Sequence, residues 1–382
     1  MLKPTGLPTS KDKTLFTPGP LTTSLTVKQA MLRDAGSWHF EFNEVVRQIR
    51  SRLIALAGLK PDAGFEAILM QGSGSFGVEA VLASAVPAAG KVLFLSNGAY
   101  AERMISMAQY LQIEFIALRS EEHETPDLDV LRRHLAEDPD ITHVATVHCE
   151  TTTGILNPIH EIGKIVQQAG RSYIVDAMSS FGAIPIDFDE GGIDYLISSA
   201  NKCLEGVPGF SFVLARRQGL EANEGFARSL CLDLLAQLKG FDKNGQFRYS
   251  PPTHSILAFA QALDELDQEG GIEARANRYR SNHRVLIEGM QRLGFKSYLD
   301  ASLQSFIITS FFFPESQRFE FGDFYRRLSE QGMIIYPGKI AQLDLFRIGT
   351  IGRIFEADIR YLLTAIGLVL TDMGVDMSGG GD

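Results

Sequence analysis

The chain has 382 residues, 45% of them apolar (AVILMFWYC) and 21% charged, the balance of an ordinary folded globular protein. That excludes a wholly disordered chain, a collagen-like repeat and a disulfide miniprotein. With 46 acidic against 36 basic residues the net charge is −10, which argues against nucleic acid as a partner, because a phosphate backbone rewards a positive field.

At roughly 150 residues per domain the length suggests two or three domains. Residues 1–20, rich in Pro, Thr and Lys, are expected to form an extended N-terminal arm. A large domain is expected over 21–270. Its apolar runs are Lys91–Ser96 (KVLFLS), Ile113–Leu118 (IEFIAL), His143–His148 (HVATVH), Ser172–Asp176 (SYIVD), Tyr195–Ser199 (YLISS) and Phe210–Ala215 (FSFVLA). None alternates cleanly with polar residues, which is how strands read when both faces of a parallel sheet are covered. Helical patterns at Ala101–Tyr110, Leu128–Leu135 and Ile159–Gln168 separate them, so the fold class is α/β, built of β-α-β units. Beyond Pro251–Pro252 the style changes. A long helical stretch, Ser255–Leu293, is interrupted only by Gly270–Gly271. Short strand candidates follow at Phe306–Phe313, Met333–Tyr336 and Leu345–Gly349, with helices at Phe321–Gln331 and Glu356–Met373. This predicts a smaller C-terminal α+β domain over 271–375, with the boundary inside the long helix near residue 270. Residues 376–382 (MSGGGD after Asp376) read as a flexible tail.

The three cysteines, Cys149, Cys203 and Cys231, are odd in number and show no C-x-x-C spacing. We therefore expect no metal site, and a reduced, cytoplasmic compartment. The N-terminus lacks the apolar core of a secretory signal. The apolar stretch Tyr361–Leu370 is too short for a bilayer, which needs about 20 residues, so no membrane partner is expected.

Asp176 ends one apolar strand candidate, and Lys202 follows another (YLISSANK). In a parallel sheet, ligands bind outside the carboxyl ends of the strands, so both residues would face one crevice. A lysine that forms a Schiff base and a carboxylate that keeps a pyridine nitrogen protonated are the pair that pyridoxal phosphate chemistry needs. The plainer alternative is a structural strand-end Asp and a surface Lys that never meet. The glycine-rich Gln71–Ala80 (QGSGSFGVEA) leads into a helical run. Its backbone N–H groups with the Ser73 and Ser75 hydroxyls would form an anion site, unless the turn holds no ligand at all. It is not a Walker A loop, since no G-K-[ST] follows. His148–Pro158 (HCETTTGILNP) offers three hydroxyls at the sheet edge, either for a ring hydroxyl or substrate, or for an ST-turn and helix N-cap.

Taken in order, the blocks TPGPLTTSLTVKQAM (17–31), QGSGSFGVEA (71–80), SNGAYAERM (96–104), HCETTTGILNP (148–158), VDAMSSFGAIPID (175–187), SSANKCLEGVPGF (198–210) and FRIGTIG (346–352) resemble the class V aminotransferases of pyridoxal phosphate fold type I. The resemblance runs from about residue 15 to 370. It implies that Lys202 is the Schiff-base lysine and Asp176 the partner of the pyridine nitrogen. It implies further that Ser73, Gly74 and Ser75 cradle the cofactor phosphate, with Asn201 and Thr253 adding contacts. Tyr100 would stack on the ring, and Thr152 or Thr153 would meet the ring oxygen. Gly19 would bring backbone to the substrate, and Arg347 would grip its carboxylate or phosphonate. In the family the residue matching Thr253 comes from the other subunit, which implies a homodimer with shared active sites. The expected activity is ping-pong transamination between an amine donor and a 2-oxo acid acceptor. The reading is 2-aminoethylphosphonate with pyruvate, giving phosphonoacetaldehyde and L-alanine; the alternative is alanine–glyoxylate or serine–pyruvate transamination. Two features depart from the family pattern: Ser75 stands where relatives often carry Thr, and Ser37–Asn43 (SWHFEFN) replaces an acidic run.

Overall fold

Seven strands form the central sheet, in the order Phe65–Gln71, Phe210–Arg216, Tyr195–Ser199, Ser172–Asp176, Ile141–Val147, Lys91–Ser96 and Glu114–Arg119. Phe210–Arg216 is antiparallel to both neighbours; every other pairing is parallel. The computed structural model describes residues 12–340 and 343–375. The first eleven residues of the expected arm, and the expected tail at 376–382, lie outside the described residues.

The inner strands are buried at all but one position each, and Tyr195–Ser199 at every position. Their continuous apolar reading follows from helices covering both faces. In the helix Ile159–Gln168, for example, Ile159, Ile162, Ile165 and Val166 are buried, one stripe at helical spacing. The α/β architecture expected from the sequence, a mainly parallel sheet flanked by helices, is the one observed. One strand of this sheet was not expected, Phe65–Gln71 (FEAILMQ) at its edge. Glu66 interrupts its apolar run, and the charge is met by Arg50 at 2.9 Å and Arg217 at 2.8 Å, partners distant in sequence.

The long helical stretch is two helices, Thr253–Glu269 and Gly271–Arg292. They part where Gly270 (φ 108°) and Gly271 (φ 80°) take left-handed backbone. A large apolar core gathers residues from Phe42 to Leu266. A second gathers Val285 to Val375 and also Phe16, which is 1% exposed. The expected strand Met333–Tyr336 divides. Met333–Ile334 pairs in parallel with Thr14–Leu15, and Tyr336–Pro337 pairs with Leu345–Gly349. The division arises because the N-terminal segment inserts beside it, which no local pattern records.

That segment is strapped down by the Thr14 N–H on the Gly332 carbonyl (2.8 Å), the Phe16 N–H on Ile334 (2.8 Å) and the Gly349 N–H on Phe16 (2.9 Å). At Gly349 a Cβ would stand 2.5 Å from the Thr17 carbonyl oxygen. We expect Gly349→Ala to push the segment off the strand at a cost of about 1–3 kcal/mol. Scanning calorimetry should show a lower melting temperature, and limited proteolysis should show faster cleavage before residue 20.

Candidate active site

Asp176 closes the strand Ser172–Asp176, and Ser199 closes its neighbour Tyr195–Ser199. Their carboxyl ends open into a crevice of about 230 Å³, lined by Gly19, Ser73, Gly74, Ser75, Tyr100, Arg103, Asp176, Met178, Ser199, Asn201 and Lys202, among others. Asp176 is buried, and its Oδ1 accepts the Met178 N–H at 2.9 Å; among the described residues no donor reaches Oδ2. Burial pushes this carboxyl up to about 6. The Met178 N–H opposes that, the nearby Glu150 adds to it, and Lys202 and Arg103 pull against it.

Lys202 follows three residues after Ser199. Its Nζ donates to the Pro18 carbonyl at 2.9 Å and lies 3.5 Å from that of Gly19. No described carboxylate lies within ion-pair distance of it. Burial holds the amine below the usual lysine range, against the opposing pull of Tyr100, Cys203 and Asp176. The approach of the Pro18–Gly19 backbone depends on glycine. A Cβ on Gly19 would stand 2.6 Å from Lys202 Cδ and 2.8 Å from the Asn201 carbonyl, and its φ of 115° suits no other residue type.

Ser73 is the N-cap of the helix Gly74–Ala85, makes no capping bond, and precedes a first turn without acidic residues. Free N–H groups and the helix dipole there favour an anion. Ser75 Oγ accepts from Arg103 Nη1 at 3.1 Å, and the Arg103 guanidinium lies 4.9 Å from the Tyr100 ring centroid. Sequence reasoning missed Arg103. The available signal was its spacing, three residues after Tyr100 and so on the same helix face. Ser199, also missed, carries a buried hydroxyl without a partner.

Tyr100 lies in the first turn of the helix Ala99–Tyr110. Glu150, fully buried and missed from the sequence, caps that turn by accepting the N–H groups of Tyr100 (3.1 Å) and Ala101 (3.3 Å). The same carboxylate accepts the Thr152 N–H (3.0 Å) and hydroxyl (2.7 Å), while Thr152 Oγ1 accepts the Ala99 N–H (2.9 Å). Thr152 is thus spent on the cap, and Thr153 Oγ1 accepts the Ile155 N–H at 3.3 Å. Neither residue is among those that line the crevice. Burial pushes the Tyr100 phenol up, but the Lys202 and Lys339 cations outweigh it and leave it below its usual value.

Arg347 is 2% exposed on the strand Leu345–Gly349. Its Nε donates to the Pro337 carbonyl (2.9 Å) and Nη1 to that of Thr151 (2.6 Å). No described carboxylate pairs with it, and burial lowers its pKa. Thr253 begins the helix Thr253–Glu269 and does not line the crevice of its own chain.

Behind Lys202 the charges are all paired. The Lys202 carbonyl accepts the Glu205 N–H at 2.8 Å, and Glu205 holds a left-handed φ of 59°. Arg275, with no exposure, donates to the Cys203 carbonyl (2.9 Å) and to Glu269 (2.7 Å). Arg278 and the Tyr279 hydroxyl both donate to Glu205, at 2.7 and 2.5 Å. This cluster ties the turn carrying Lys202 to the helix Gly271–Arg292. Cys149 and Cys203 are buried, and burial pushes both thiols up, so neither is a ready nucleophile.

Compared with known proteins, the family model for aminotransferase class V matches residues 23–349. A 2-aminoethylphosphonate–pyruvate transaminase of Salmonella typhimurium is 54% identical over 94% of this chain and 98% of its own. Among solved structures, ureidoglycine–glyoxylate aminotransferase from Bacillus subtilis has a TM-score of 0.88 at 23% identity, covering 97% of this chain and 96% of that one. Alanine–glyoxylate aminotransferase from Nostoc sp. has 0.87 at 24%, covering 97% of each. At these identities the structures speak for the fold.

The Asp176 carboxyl ionises near 3.8 in an unfolded chain and near 6 here, so the folded, cofactor-free protein resists its ionisation. Its contribution to stability is fully present below pH 3.8 and is lost as pH rises through 6. We therefore expect cofactor-free Asp176→Asn to gain on wild type between pH 4.5 and 7.5, by about 2 kcal/mol in urea unfolding. An unchanged difference between the two pH values would remove Asp176 as an uncompensated buried charge.

Proposed function

The chain belongs to the class V aminotransferases and uses pyridoxal phosphate, and we propose that it transfers the amino group of 2-aminoethylphosphonate to pyruvate, giving phosphonoacetaldehyde and L-alanine. One observation carries the reading of the site. A lysine that pairs with no described carboxylate lines one crevice with a tyrosine and a buried aspartate, and a buried arginine, likewise without a described carboxylate, donates only to the Pro337 and Thr151 carbonyls. Charges left unpaired at such cost imply ligands that complete them.

The residues fit pyridoxal phosphate by their unspent groups: Asp176 Oδ2, the orphaned Ser199 hydroxyl and the uncapped helix start at Ser73. Lys202 Nζ would hold the aldehyde, Asp176 the pyridine nitrogen, and Ser73, Gly74, Ser75 and Asn201 the phosphate end, with Tyr100 offering its ring face. When bound, the cofactor supplies an electrophilic carbon and a ring that draws off electrons from the carbon bearing the amine. Asp176 then gains a cationic neighbour, which draws its pKa back down and keeps it ionised. The depressed pKa of Lys202 makes its neutral amine accessible, so with the cofactor held there Nζ would be the base that takes the proton from the substrate carbon bearing nitrogen and the acid that gives one back to the cofactor carbon receiving the amine. The Pro18 carbonyl accepts from Nζ and fixes its direction. Arg347 offers a planar, desolvated fork to the acidic group of each substrate in turn, so one site serves donor and acceptor and ping-pong kinetics follow.

The same reading includes a homodimer in the cytoplasm. The first is supported by Leu25, Leu32, Trp38 and Phe40, which stay exposed along 25–40, and by Thr253, which lies off its own chain's crevice and is free to serve the partner's. No helix among the described residues is long and apolar enough to cross a membrane.

The test is a panel of donors and acceptors with the purified holoenzyme. L-alanine from 2-aminoethylphosphonate and pyruvate should form fastest; a preference for alanine–glyoxylate or serine–pyruvate would replace the reading. Lys202→Ala should abolish turnover, and borohydride treatment should label wild type, but not this variant, on the peptide containing position 202. Arg347→Ala should raise KM for both substrates about 10- to 100-fold, the worth of a charge-assisted fork.

A further inference from the structure

One arginine answers one negative charge, and a phosphonate, like a phosphate monoester, carries between one and two near neutral pH. We propose that Lys339 is the second cation of the acid-binding site and sets the preference for a phosphonate over a carboxylate. The inference rests on the transamination reading above and names the residue behind its donor specificity.

Lys339 stands just past the strand Tyr336–Pro337, whose Pro337 carbonyl receives Arg347 Nε–H at 2.9 Å. The Gly338 N–H, donating to the Leu345 carbonyl at 2.9 Å, holds that turn against the strand carrying Arg347. From there Lys339 Nζ lies 4.1 Å from the centroid of the Tyr100 ring. Tyr100 lines the same crevice as Lys202, and Arg347 stands opposite Tyr336 in the strand pairing, its guanidinium 5.9 Å from that ring's centroid. Tyr100 therefore stands between the crevice that holds Lys202 and the Lys339 ammonium, whose turn is tied to Arg347 through the Pro337 carbonyl.

A two-carbon donor separates its nitrogen from its phosphorus by three bonds, about 4 Å. With its amine at Lys202, its acid group cannot leave the neighbourhood of Tyr100. Arg347 presents a fork for two oxygens; a third oxygen and the additional charge remain. Lysine, a point charge with three donors on a mobile stem, suits that remainder. Among the described residues no carboxylate lies within ion-pair distance of Lys339. It lines a second cavity beside the crevice with Arg103, Arg119, Glu102 and Glu122. Glu102 is committed to Arg119 at 2.8 and 3.0 Å and to Ser96 at 2.7 Å. A carboxylate donor satisfies Arg347 alone and gains little from the lysine.

The experiment compares holoenzyme Lys339→Gln and Lys339→Arg with wild type. KM is measured with pyruvate for 2-aminoethylphosphonate and for β-alanine, its carboxylate counterpart. Calorimetry measures the binding of ethylphosphonate and of propionate, which cannot react. We expect Lys339→Gln to weaken ethylphosphonate binding and raise KM for 2-aminoethylphosphonate about tenfold, to change propionate and β-alanine less than twofold, and Lys339→Arg to restore most of the loss. Equal losses for both acid classes, or none, overturn the assignment while leaving the reaction in place. A wild type that makes no L-alanine from 2-aminoethylphosphonate overturns the reaction reading and this inference with it.

Discussion

The approach of the N-terminal segment to Lys202 constrains the rest of the site. The Pro18 carbonyl takes a hydrogen from Nζ at 2.9 Å, in space that exists because Gly19 has no Cβ. The segment arrives there already bound at its other end, with Phe16 buried in the C-terminal core and Thr14–Leu15 paired to Met333–Ile334. One short stretch of chain therefore links the C-terminal core to the reactive lysine on the large sheet. A displacement of that core relative to the sheet would be felt at Nζ, and the same displacement would carry Arg347 and Lys339.

Charge is distributed in two contrasting ways around this point. On the scaffold side, Arg275, Arg278, Glu205 and Glu269 pair with one another and with backbone carbonyls, so removing any one of them would leave an uncompensated buried charge. Lys202 and Asp176 in the crevice, and Arg347 on the strand Leu345–Gly349, are desolvated without described ion-pair partners, and the pKa of each moves in the direction that disfavours its charge. The paired side gives rigidity to the turn on which Lys202 sits. The unpaired side holds electrostatic energy that only charged ligands relieve, which is how a pre-organised site favours them.

Much of this was legible locally. Asp176 and Lys202 follow apolar runs, and a parallel sheet delivers the residues after its strands to one edge. Ser73–Ser75 precede a helical run, and Arg347 sits in a short strand pattern. Other features had no local signature. Thr151, Thr152 and Thr153 are chemically identical neighbours, and only Glu150 and the Ala99 N–H decide that Thr152 turns away from the crevice. Glu66 reads as an interruption until Arg50 and Arg217 are brought beside it. Arg103 and Lys339 are ordinary surface-type residues in sequence, and only folding places both beside one tyrosine ring.

Local sequence carried most of the elements and their order: unbroken apolar runs for covered strands, helical stripes between them, and glycines where backbone must turn or approach closely. These are properties of a residue and its near neighbours, and they survive without knowledge of the rest of the chain. The tertiary structure decided which hydroxyls face the crevice, which buried charges go unpaired, and where the N-terminal segment is clamped. Those outcomes depend on partners far apart in the chain, and hydrogen bonding and desolvation act over a few ångströms of space whatever the separation in sequence.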